Sequence, residues 1–411
     1  VTATRSSKVE ELSGGMSQVV GIILKMMFVT HAFTAAGCAF TLASGQRIRI
    51  HAHLKMVLQD GGAHKVTWHC KGDSGHKLCL LCRNLFSARS ELVNVDDDGN
   101  LKCEVIRIED LDLATSAELI GSIRRVHHYR SIDEPDTFDV RQKALGFTYM
   151  GYNLMVDASL DGVLDPANQF SADWMHCIFV SGVWNITMQL VLKAFQDARV
   201  PDVYKRLKQV VSLWRWPNRV RNSKIEEVFV PSRRSSNNEA KKFKCQASEG
   251  LSLYAVVALW VILFPICGKE VAAYVALCDL IDCFASVLRG LITPKFLLKC
   301  VHTFLAAFVA AFGADHLTPK FHWLLHFPIW LKHFKTLISC FVHERKHKMV
   351  KRYCNDIRNT VIFERSVLSE VTVFSRWPWP LPPHGASPSN SLWSTIYLYS
   401  SLRTMQLIAI L

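Results

Sequence analysis

The feature that most constrains this chain is a stretch of about a hundred residues after Gly250 that is apolar and has the periodicity of helices. It begins with LSLYAVVALWVILFPIC, residues 251–267, in which Ser252 and Tyr254 are the only mild polar breaks. A run of this length is about the shortest that crosses a bilayer. Pro265 stands near its end, and charged residues recur in the apolar segments that follow. We therefore predict the buried helices of an α-domain, with a membrane span as the alternative.

A different periodicity occurs earlier in the chain, where residues 47–58 read RIRIHAHLKMVL with an apolar residue at every second position. A period of two predicts a β-strand. The short run AFTLASGQ precedes it, and Ser44, Gly45 and Gln46 can form the turn of a hairpin. The beginning of the chain is therefore predicted to be mixed α/β structure.

Composition divides the chain into parts of different character. Between Arg215 and Lys244 there are nine Lys or Arg residues against three Glu, a composition that predicts a mobile linker or a surface loop. The acidic run that begins at Asp96 predicts a solvated face. We expect an α/β part at 1–95, an acidic and helical part at 96–214, a basic linker at 215–249, a helical domain at 250–370, and a Pro-rich, apolar tail at 371–411.

The overall charge and the cysteine content limit the class of protein. With 48 basic and 35 acidic side chains, the chain has a formal net charge of +13, which favours a polyanionic partner such as nucleic acid or an anionic membrane. Half of its residues are hydrophobic, which excludes a disordered chain. The 13 cysteines are odd in number and have no framework spacing, so a reducing compartment is predicted.

Asp60 is the first candidate site residue. It follows the alternating strand and precedes Gly61 and Gly62, which let a ligand approach the backbone. Carboxylates at strand ends are where metal-dependent phosphoryl-transfer enzymes hold their ions. The alternative is an aspartate that merely forms a turn before two glycines.

Cys79 and Cys82 form a Cys-x-x-Cys pair, which in a reducing compartment is half of a tetrahedral zinc site. A buried pair that binds no metal is the alternative. Nearby residues that could complete a local site are His64, His69, Cys70 and His76.

Two further pairs have helical spacing. Asp173 and His176 lie three residues apart at the start of a predicted helix, where Asp173 alone could serve as the cap. His322 and His326 lie four apart, so both imidazoles face one side of a helix and could bind one zinc ion. Trp323 occupies the position where a HExxH metalloprotease has glutamate, which excludes that class. Two core histidines are the alternative.

Glu344 is a lone carboxylate at the start of a strongly basic predicted helix. It is either a salt-bridged helix residue or a metal ligand beside a phosphate-binding face. The basic residues that would neutralise DNA phosphates are Arg345, Lys346, Lys348, Lys351 and Arg352.

Taken in order, these motifs resemble those of the transposases of the CACTA superfamily and their Plavaka-type relatives, over most of residues 10–360. In that family an aspartate after a hydrophobic strand is followed by a Gly-containing Cys-x-x-Cys segment, here Asp60 and GDSGHKLCLLC. A Lys-x-His element and a Glu-Arg on a basic helix follow later, here PKFHWLLH and HERKHKMVKRY. Between them lies an Asp-x-Met-His motif that leads into a helix with an asparagine, matched by Asp173, Met175, His176 and Asn185.

The resemblance implies a fold of α/β plus all-α class, with a partial RNase H-like core interrupted by a large helical insertion. It makes Asp60 the second and Glu344 the third catalytic carboxylate, and gives Asp173 and His176 a supporting or structural role. Mg²⁺ ions roughly 3.5–4 Å apart would serve in-line displacement at DNA phosphodiesters. The implied partner is the DNA of transposon ends in the nucleus, with a homo-oligomer expected and no small-molecule substrate.

The resemblance also implies a structural zinc site. The catalytic subunit of the V(D)J recombinase, which is similar to this group, pairs a Cys-x-x-Cys with two histidines shortly before its catalytic glutamate. The corresponding residues here are Cys79, Cys82, His322 and His326, with Glu344 eighteen residues after His326. Such an ion would tie the insertion to the core.

One departure from the family bears on activity. The first catalytic aspartate belongs upstream of Asp60, yet residues 1–59 contain no aspartate, and Glu10 and Glu11 lie in a polar leader. Because the sequence starts with Val1, we expect a truncated and inactive copy. The alternatives are a catalytically dead, nucleic-acid-binding orphan protein and a helical membrane protein anchored through residues 251–267 and 303–313.

Overall fold

The computed structural model describes most of the chain. The residues that it describes are 9–30, 33, 36–42, 44–86, 107–216, 225–263, 268–341 and 405–410. Glu344, the basic residues that follow it and the first part of the acidic run, up to residue 106, lie outside these ranges.

The strands form two small sheets. In chain order they are β1 (Cys38–Thr41), β2 (Arg47–Ile50), β3 (Ala52–Gln59), β4 (Phe170–Ala172) and β5 (Met405–Ile410). Strands β1 and β2 form an antiparallel hairpin in which Cys38 pairs with Ile50, so the predicted strand and its hairpin are confirmed. The other sheet has the order β4-β3-β5, and both of its pairings are parallel.

Helices make up most of the described structure. They are α1 (Gly15–Leu24), α2 (Gly61–Trp68), α3 (Ser116–Ile132), α4 (Pro135–Leu145), α5 (Pro166–Gln169), α6 (Trp174–Phe179), α7 (Val183–Asp197), α8 (Val203–Leu213), α9 (Pro231–Glu239), α10 (Ala247–Leu263), α11 (Gly268–Ser286), α12 (Pro294–Phe312), α13 (Pro319–Leu324) and α14 (His326–Phe334).

Strand β3 is the central strand of the parallel sheet. Its first residues alternate between buried and exposed, but Met56, Val57, Leu58 and Gln59 are all buried. A strand that is covered on both faces is typical of a parallel sheet between helices. Asp60 follows at once and caps α2, because its Oδ1 accepts a hydrogen bond from the Ala63 amide at 2.6 Å. The strand therefore delivers Asp60 to the edge of the sheet.

The apolar helices predicted after Gly250 pack into one helical body, in which α11 contacts α7, α10 and α12. Hydrogen bonds link several polar groups inside this body. The Trp184 indole donates to the Tyr274 hydroxyl at 3.0 Å, and that hydroxyl donates to the Tyr254 carbonyl at 3.2 Å. Trp174 stacks on Phe284 at a centroid distance of 5.5 Å, which joins α6 to this body.

Within the described ranges, three apolar helical segments are long enough to cross a membrane by length and composition. They are Trp174–Asp197, Gly268–Arg289 and Pro294–Phe312, and 72%, 56% and 28% of their respective apolar windows are buried inside the protein. Helix α10, which contains most of the run that begins this apolar region, is shorter than that length. Composition alone therefore keeps the membrane alternative open.

The segment predicted to be a basic linker is packed over much of its length. Helix α9 lies within it, and the side chains of Phe229, Asn237 and Phe243 are buried. The Phe243 amide donates to the Asn185 carbonyl at 2.8 Å, and the Asn185 amide group donates to the Phe243 carbonyl at 2.8 Å. Aromatic anchors between the charged residues account for this difference from a flexible linker.

Candidate metal centre and the neighbouring carboxylate edge

Four buried side chains converge in the protein: Cys79, Cys82, His322 and His326. The Cys82 Sγ atom lies 3.4 Å from the Nε2 atoms of both His322 and His326. Cys79 Sγ is 3.5 Å from His326 Nε2, and the two Nε2 atoms are 3.0 Å apart. The four donor atoms all lie within 4.8 Å of one another. The fold therefore brings together the same four residues that the family resemblance implied as a zinc site.

The two thiols lie in a loop that is held in place by backbone hydrogen bonds. The Ala114 amide donates to the Leu81 carbonyl at 2.8 Å, and the Arg83 amide donates to the Asp112 carbonyl at 2.7 Å. Arg83 also forms a surface ion pair with Asp112 at 2.7 Å. These contacts fix the direction in which Cys82 points.

The two histidines come from the junction between α13 and α14. His322 lies in the last turn of α13, and His326 is the first residue of α14. The Leu325 amide donates to the His322 carbonyl at 3.0 Å, which continues the turn between them. The spacing of four residues thus places both rings on one side, as the sequence predicts.

The electrostatics of the cluster favour a thiolate. Burial by itself raises the pKa of the Cys79 thiol, but the hydrogen bond from Cys82 and the charges of His326 and His322 hold that pKa well below its usual value. Burial lowers the pKa of His322, although the charge of Cys79 opposes this shift. Metal binding requires a cysteine ligand in the thiolate form, and the low pKa of Cys79 favours that form.

The geometry of the donors fits a metal ion. Tetrahedral zinc with Zn–S near 2.3 Å and Zn–N near 2.05 Å places neighbouring ligand atoms about 3.3–3.8 Å apart. The 3.4–3.5 Å sulfur–nitrogen distances fall in this range, whereas the 3.0 Å between the two Nε2 atoms is slightly shorter than the range. Among the residues that the structure describes, the buried Nδ1 of His322 has no hydrogen-bond partner, so this ring is not a satisfied core histidine. This is a buried Cys/His group that could bind a metal such as zinc.

Two of the nearby residues that could have completed a local site, His64 and Cys70, have other partners. The Nε2 atom of His64 is 3.0 Å from the Ser171 carbonyl oxygen. Its Nδ1 atom accepts a hydrogen bond from the Trp68 indole N–H at 3.1 Å. The Cys70 thiol lies 3.6 Å from the His64 carbonyl, and burial raises its pKa to about 12. The histidines that the structure brings together with Cys79 and Cys82 therefore come from far along the chain.

Asp60 and Asp173 occupy one edge of the parallel sheet. Leu58 pairs with Ser171 in β3 and β4, and each aspartate follows the last residue of its strand. The carboxyl ends of parallel strands meet at the same edge, so the two side chains are neighbours. Asp60 is partly exposed, with 41% of its side chain accessible, whereas Asp173 is buried.

His176 lies between these two carboxylates. Its Nδ1 is in short contact with Asp173 Oδ2, and its Nε2 is 3.8 Å from Asp60 Oδ2. Asp173 also caps α6, because it accepts the amides of Met175 at 3.1 Å and His176 at 3.2 Å. It accepts a third amide, that of Cys340, at 3.1 Å. Asp173 is therefore both a helix cap and the partner of His176.

Lys320, the lysine of the Lys-x-His element, connects the two sites, although the sequence analysis gave it no role of its own. Its Nζ donates to the carbonyls of His176, at 3.1 Å, and of Val180. Its own carbonyl accepts the Cys177 thiol at 3.1 Å. Burial lowers the pKa of the Lys320 amine, partly offset by the charges of Cys177 and Asp60. Its position two residues before His322 in an apolar helix was the signal in the sequence.

Cys340 is a second residue that sequence reasoning missed. Its buried side chain lies with Asp173 and His176 in a group that could hold a metal ion. Glu344 and its basic neighbours lie outside the described residues, so their position relative to Asp60 is not given. Comparisons with protein-family models, with curated proteins and with solved structures found no match.

Proposed function

We propose that this chain is a transposase-like DNA-binding protein, related to enzymes that cleave and transfer DNA strands with metal ions. The observation that carries the proposal is the convergence of Cys82 with His322, residues 240 positions apart. The transposase resemblance requires this contact, whereas core packing of unrelated histidines does not. The formal net charge of +13 supports a polyanionic partner.

We further propose that the Cys/His group binds Zn²⁺. Two thiolates and two imidazoles are the usual donor set of a structural zinc site, and such an ion contributes directly to folding. Substituting Cys79→Ser and His322→Gln separately should each abolish bound zinc, measured by elemental mass spectrometry on purified protein. Cys278→Ser is the matched control, because this buried thiol lies against the Tyr254 carbonyl and away from the group. Full zinc content in either ligand variant would rule out the four-ligand site.

At the carboxylate edge we propose that Asp60 is a ligand of catalytic Mg²⁺ and that Glu344 is another. When bound, the ions would activate a water or a 3′-hydroxyl and stabilise the leaving oxygen. Asp60 is suited to this role because Oδ1 is held by the Ala63 amide while the side chain is partly open to solvent. Residues 1–59 contain no aspartate, and we expect residues 1–411 by themselves to bind DNA without strand cleavage.

The DNA-binding proposal is tested with an unspecific B-form duplex at increasing salt. Binding should weaken with a slope proportional to the number of phosphates that basic side chains neutralise. We expect Lys346→Glu combined with Lys351→Glu to lower the affinity and to flatten the slope by about 2. The matched control is Lys205→Glu with Lys208→Glu, which makes the same charge change on α8. Absence of binding by the unsubstituted protein at low salt would contradict the proposal.

Cleavage is assayed separately on transposon-end DNA in the presence of Mg²⁺. We expect no nicking by this chain. Nicking that is lost on Asp60→Ala and on Glu344→Gln would instead identify an active transposase.

A helical membrane protein is the second candidate, because three segments have the length and hydropathy of a membrane-crossing helix. This candidate ranks second because two of the three segments are already largely buried inside the protein. The buried share of the apolar stretch is 72% in one segment and 56% in the other. Flotation with liposomes that resists alkaline carbonate would favour this candidate. A monodisperse protein in buffer without detergent would exclude it.

A further inference from the structure

We propose that Asp60 and His176 together form a divalent-cation site that prefers Mn²⁺ to Mg²⁺, with Asp173 holding the imidazole in place. This deepens the function proposed above, since it rests on Asp60 being a cation ligand and adds a nitrogen ligand that the sequence did not suggest. The site requires one side chain from the end of β3 and one from α6.

The distance between the two ligand atoms allows one ion to bind both. Asp60 Oδ2 and His176 Nε2 are 3.8 Å apart. Two ligands at about 2.1–2.2 Å from one ion are separated by about 3.0 Å when adjacent in an octahedron and about 4.3 Å when opposite. The observed distance lies between these limits, so one ion can bind both atoms after a small movement of the side chains.

Neighbouring hydrogen bonds orient the side chains of Asp60 and His176 toward each other. Asp60 accepts the Ala63 amide through Oδ1 at 2.6 Å, and it is the other oxygen, Oδ2, that faces the imidazole. His176 contacts Asp173 through Nδ1, which leaves Nε2 as the ring nitrogen that faces Asp60. A carboxylate that accepts the second ring N–H is how metal-binding histidines are usually fixed.

Asp173 is a fixed partner for the His176 imidazole. This carboxylate is buried and accepts the amides of Met175, His176 and Cys340 at 3.1, 3.2 and 3.1 Å. Three backbone donors hold this carboxylate in one position. The imidazole is therefore held against a fixed partner, and its position does not depend on the cation.

The neighbouring cation does not block the site. The Lys320 ammonium is directed at the carbonyls of His176 and Val180. Asp60 keeps 41% of its side chain exposed and His176 keeps 14%, which leaves room for water or phosphate oxygens as further ligands.

The choice of metal follows from the ligand chemistry. Mg²⁺ takes oxygen ligands almost exclusively, whereas Mn²⁺ accepts an imidazole nitrogen together with carboxylate oxygens. A mixed Asp/His pair therefore favours Mn²⁺. The thiolate-rich group around Cys79 selects softer ions, so the two sites should not compete for the same metal.

The test is a titration of the full chain, as purified with its zinc, with Mn²⁺ alone and with Mg²⁺ as competitor, followed by electron paramagnetic resonance. We expect Mn²⁺ to bind at least ten-fold more tightly than Mg²⁺. His176→Gln should remove this preference, Asp173→Asn should weaken Mn²⁺ binding about 10–100-fold, and Asp60→Asn should abolish binding. His333→Gln, a change in an exposed histidine of α14, is the matched control and should bind as the unsubstituted protein does.

Two results would overturn the proposal. One is unchanged Mn²⁺ affinity in His176→Gln with normal zinc content. The other is Mn²⁺ binding that survives Asp60→Asn but is lost in Cys340→Ser, which would move the ion to the group of Asp173, His176 and Cys340.

If His176→Gln fails to fold, the Mn²⁺ spectrum of the unsubstituted protein decides, because a directly bound imidazole gives nitrogen modulation of the electron spin echo. Its absence would also overturn the proposal. None of these measurements uses DNA, so they are independent of the outcome of the DNA-binding experiment.

Discussion

The side-chain amine of Lys320 donates a hydrogen bond to the carbonyl of His176 at 3.1 Å, and the Lys320 carbonyl accepts the thiol of Cys177 at 3.1 Å. The six-residue helix α13 that carries Lys320 also carries His322, which belongs to the Cys/His group. One short helix therefore contacts both the candidate metal centre and the carboxylate edge.

Replacing Lys320 by methionine should loosen the turn after α6 while leaving zinc binding intact. The change removes a charged donor to the carbonyls of His176 and Val180, and a hydrogen bond of this kind contributes about 1.5–3 kcal/mol. Amide hydrogen exchange of residues 176–182 should accelerate. Lys332→Met, at an exposed position on α14, should leave that exchange unchanged. Equal exchange in the two variants would show that Lys320 does not hold the turn.

Removal of zinc by a chelator should destabilise the protein strongly. The ion would bind only the folded chain, so at 1,000 times its dissociation constant it contributes about 4 kcal/mol. Thermal unfolding should therefore shift to lower temperature on chelation and return on adding Zn²⁺. Cys79→Ser should show neither response, whereas Cys278→Ser should respond as the unsubstituted protein does. An unchanged transition after complete loss of zinc would contradict a structural role for the ion.

Gly182→Ala should disturb the same turn from its other side. A Cβ at this position would lie 2.1 Å from the Cys177 carbonyl oxygen, which is backbone and cannot move aside without shifting α6. We expect a loss of unfolding free energy of at least about 1–3 kcal/mol. Gly121→Ala is the matched control, because it lies inside α3 with nothing within 4 Å of the added Cβ.

The control should stabilise the protein by about 0.5–1 kcal/mol through helix propensity. Urea unfolding at neutral pH measures both changes. Equal stabilities for the two alanine variants would show that Gly182 is not sterically required.

His64 should make the fold sensitive to moderate acid. Burial lowers its pKa from 6.5 to about 3, so the unfolded chain takes up a proton below pH 6.5 while the folded protein does so only near pH 3. Stability from this group is thus complete above pH 6.5 and falls between pH 6.5 and 3, by up to about 1.4 kcal/mol per pH unit.

Urea unfolding between pH 8 and 4.5 checks this prediction. His64→Gln does not titrate, so its unfolding free energy should fall less steeply below pH 6.5 than that of the unsubstituted protein. The difference between the two proteins should be constant above pH 7. Parallel curves down to pH 4.5 would contradict the assignment.

Local patterns predicted the local structure well. The period of two in residues 47–58 predicted a strand, and β2 and β3 cover this range apart from His51. Strand β4 was not predicted, because its three residues are all buried and no alternation can be seen over so short a run. The basic composition around Phe243 predicted a linker. In the structure, buried aromatic side chains such as Phe243 pack this segment against the rest of the protein.

The candidate site was only partly accessible from sequence. Cys-x-x-Cys spacing left several partners open for Cys79, and the resemblance to a family, not the spacing, favoured the distant histidines. The Lys-x-His element contains Lys320, but its contacts could not be predicted, because its partners are backbone carbonyls that become available where the chain breaks between α6 and α7. Ser181 at this break has a φ of 48°, a conformation that sequence periodicity does not reveal.

The separation of 240 residues between Cys82 and His322 has a consequence for biosynthesis. At a translation rate of about 5–20 residues per second, the ribosome needs roughly 10–50 s to deliver the histidine after the cysteine. During this interval the Cys-x-x-Cys thiols are on a nascent chain that lacks His322 and His326, and they are open to oxidation. Correct maturation should therefore depend on the redox state of the cell in which the chain is made, and not only on its supply of metal.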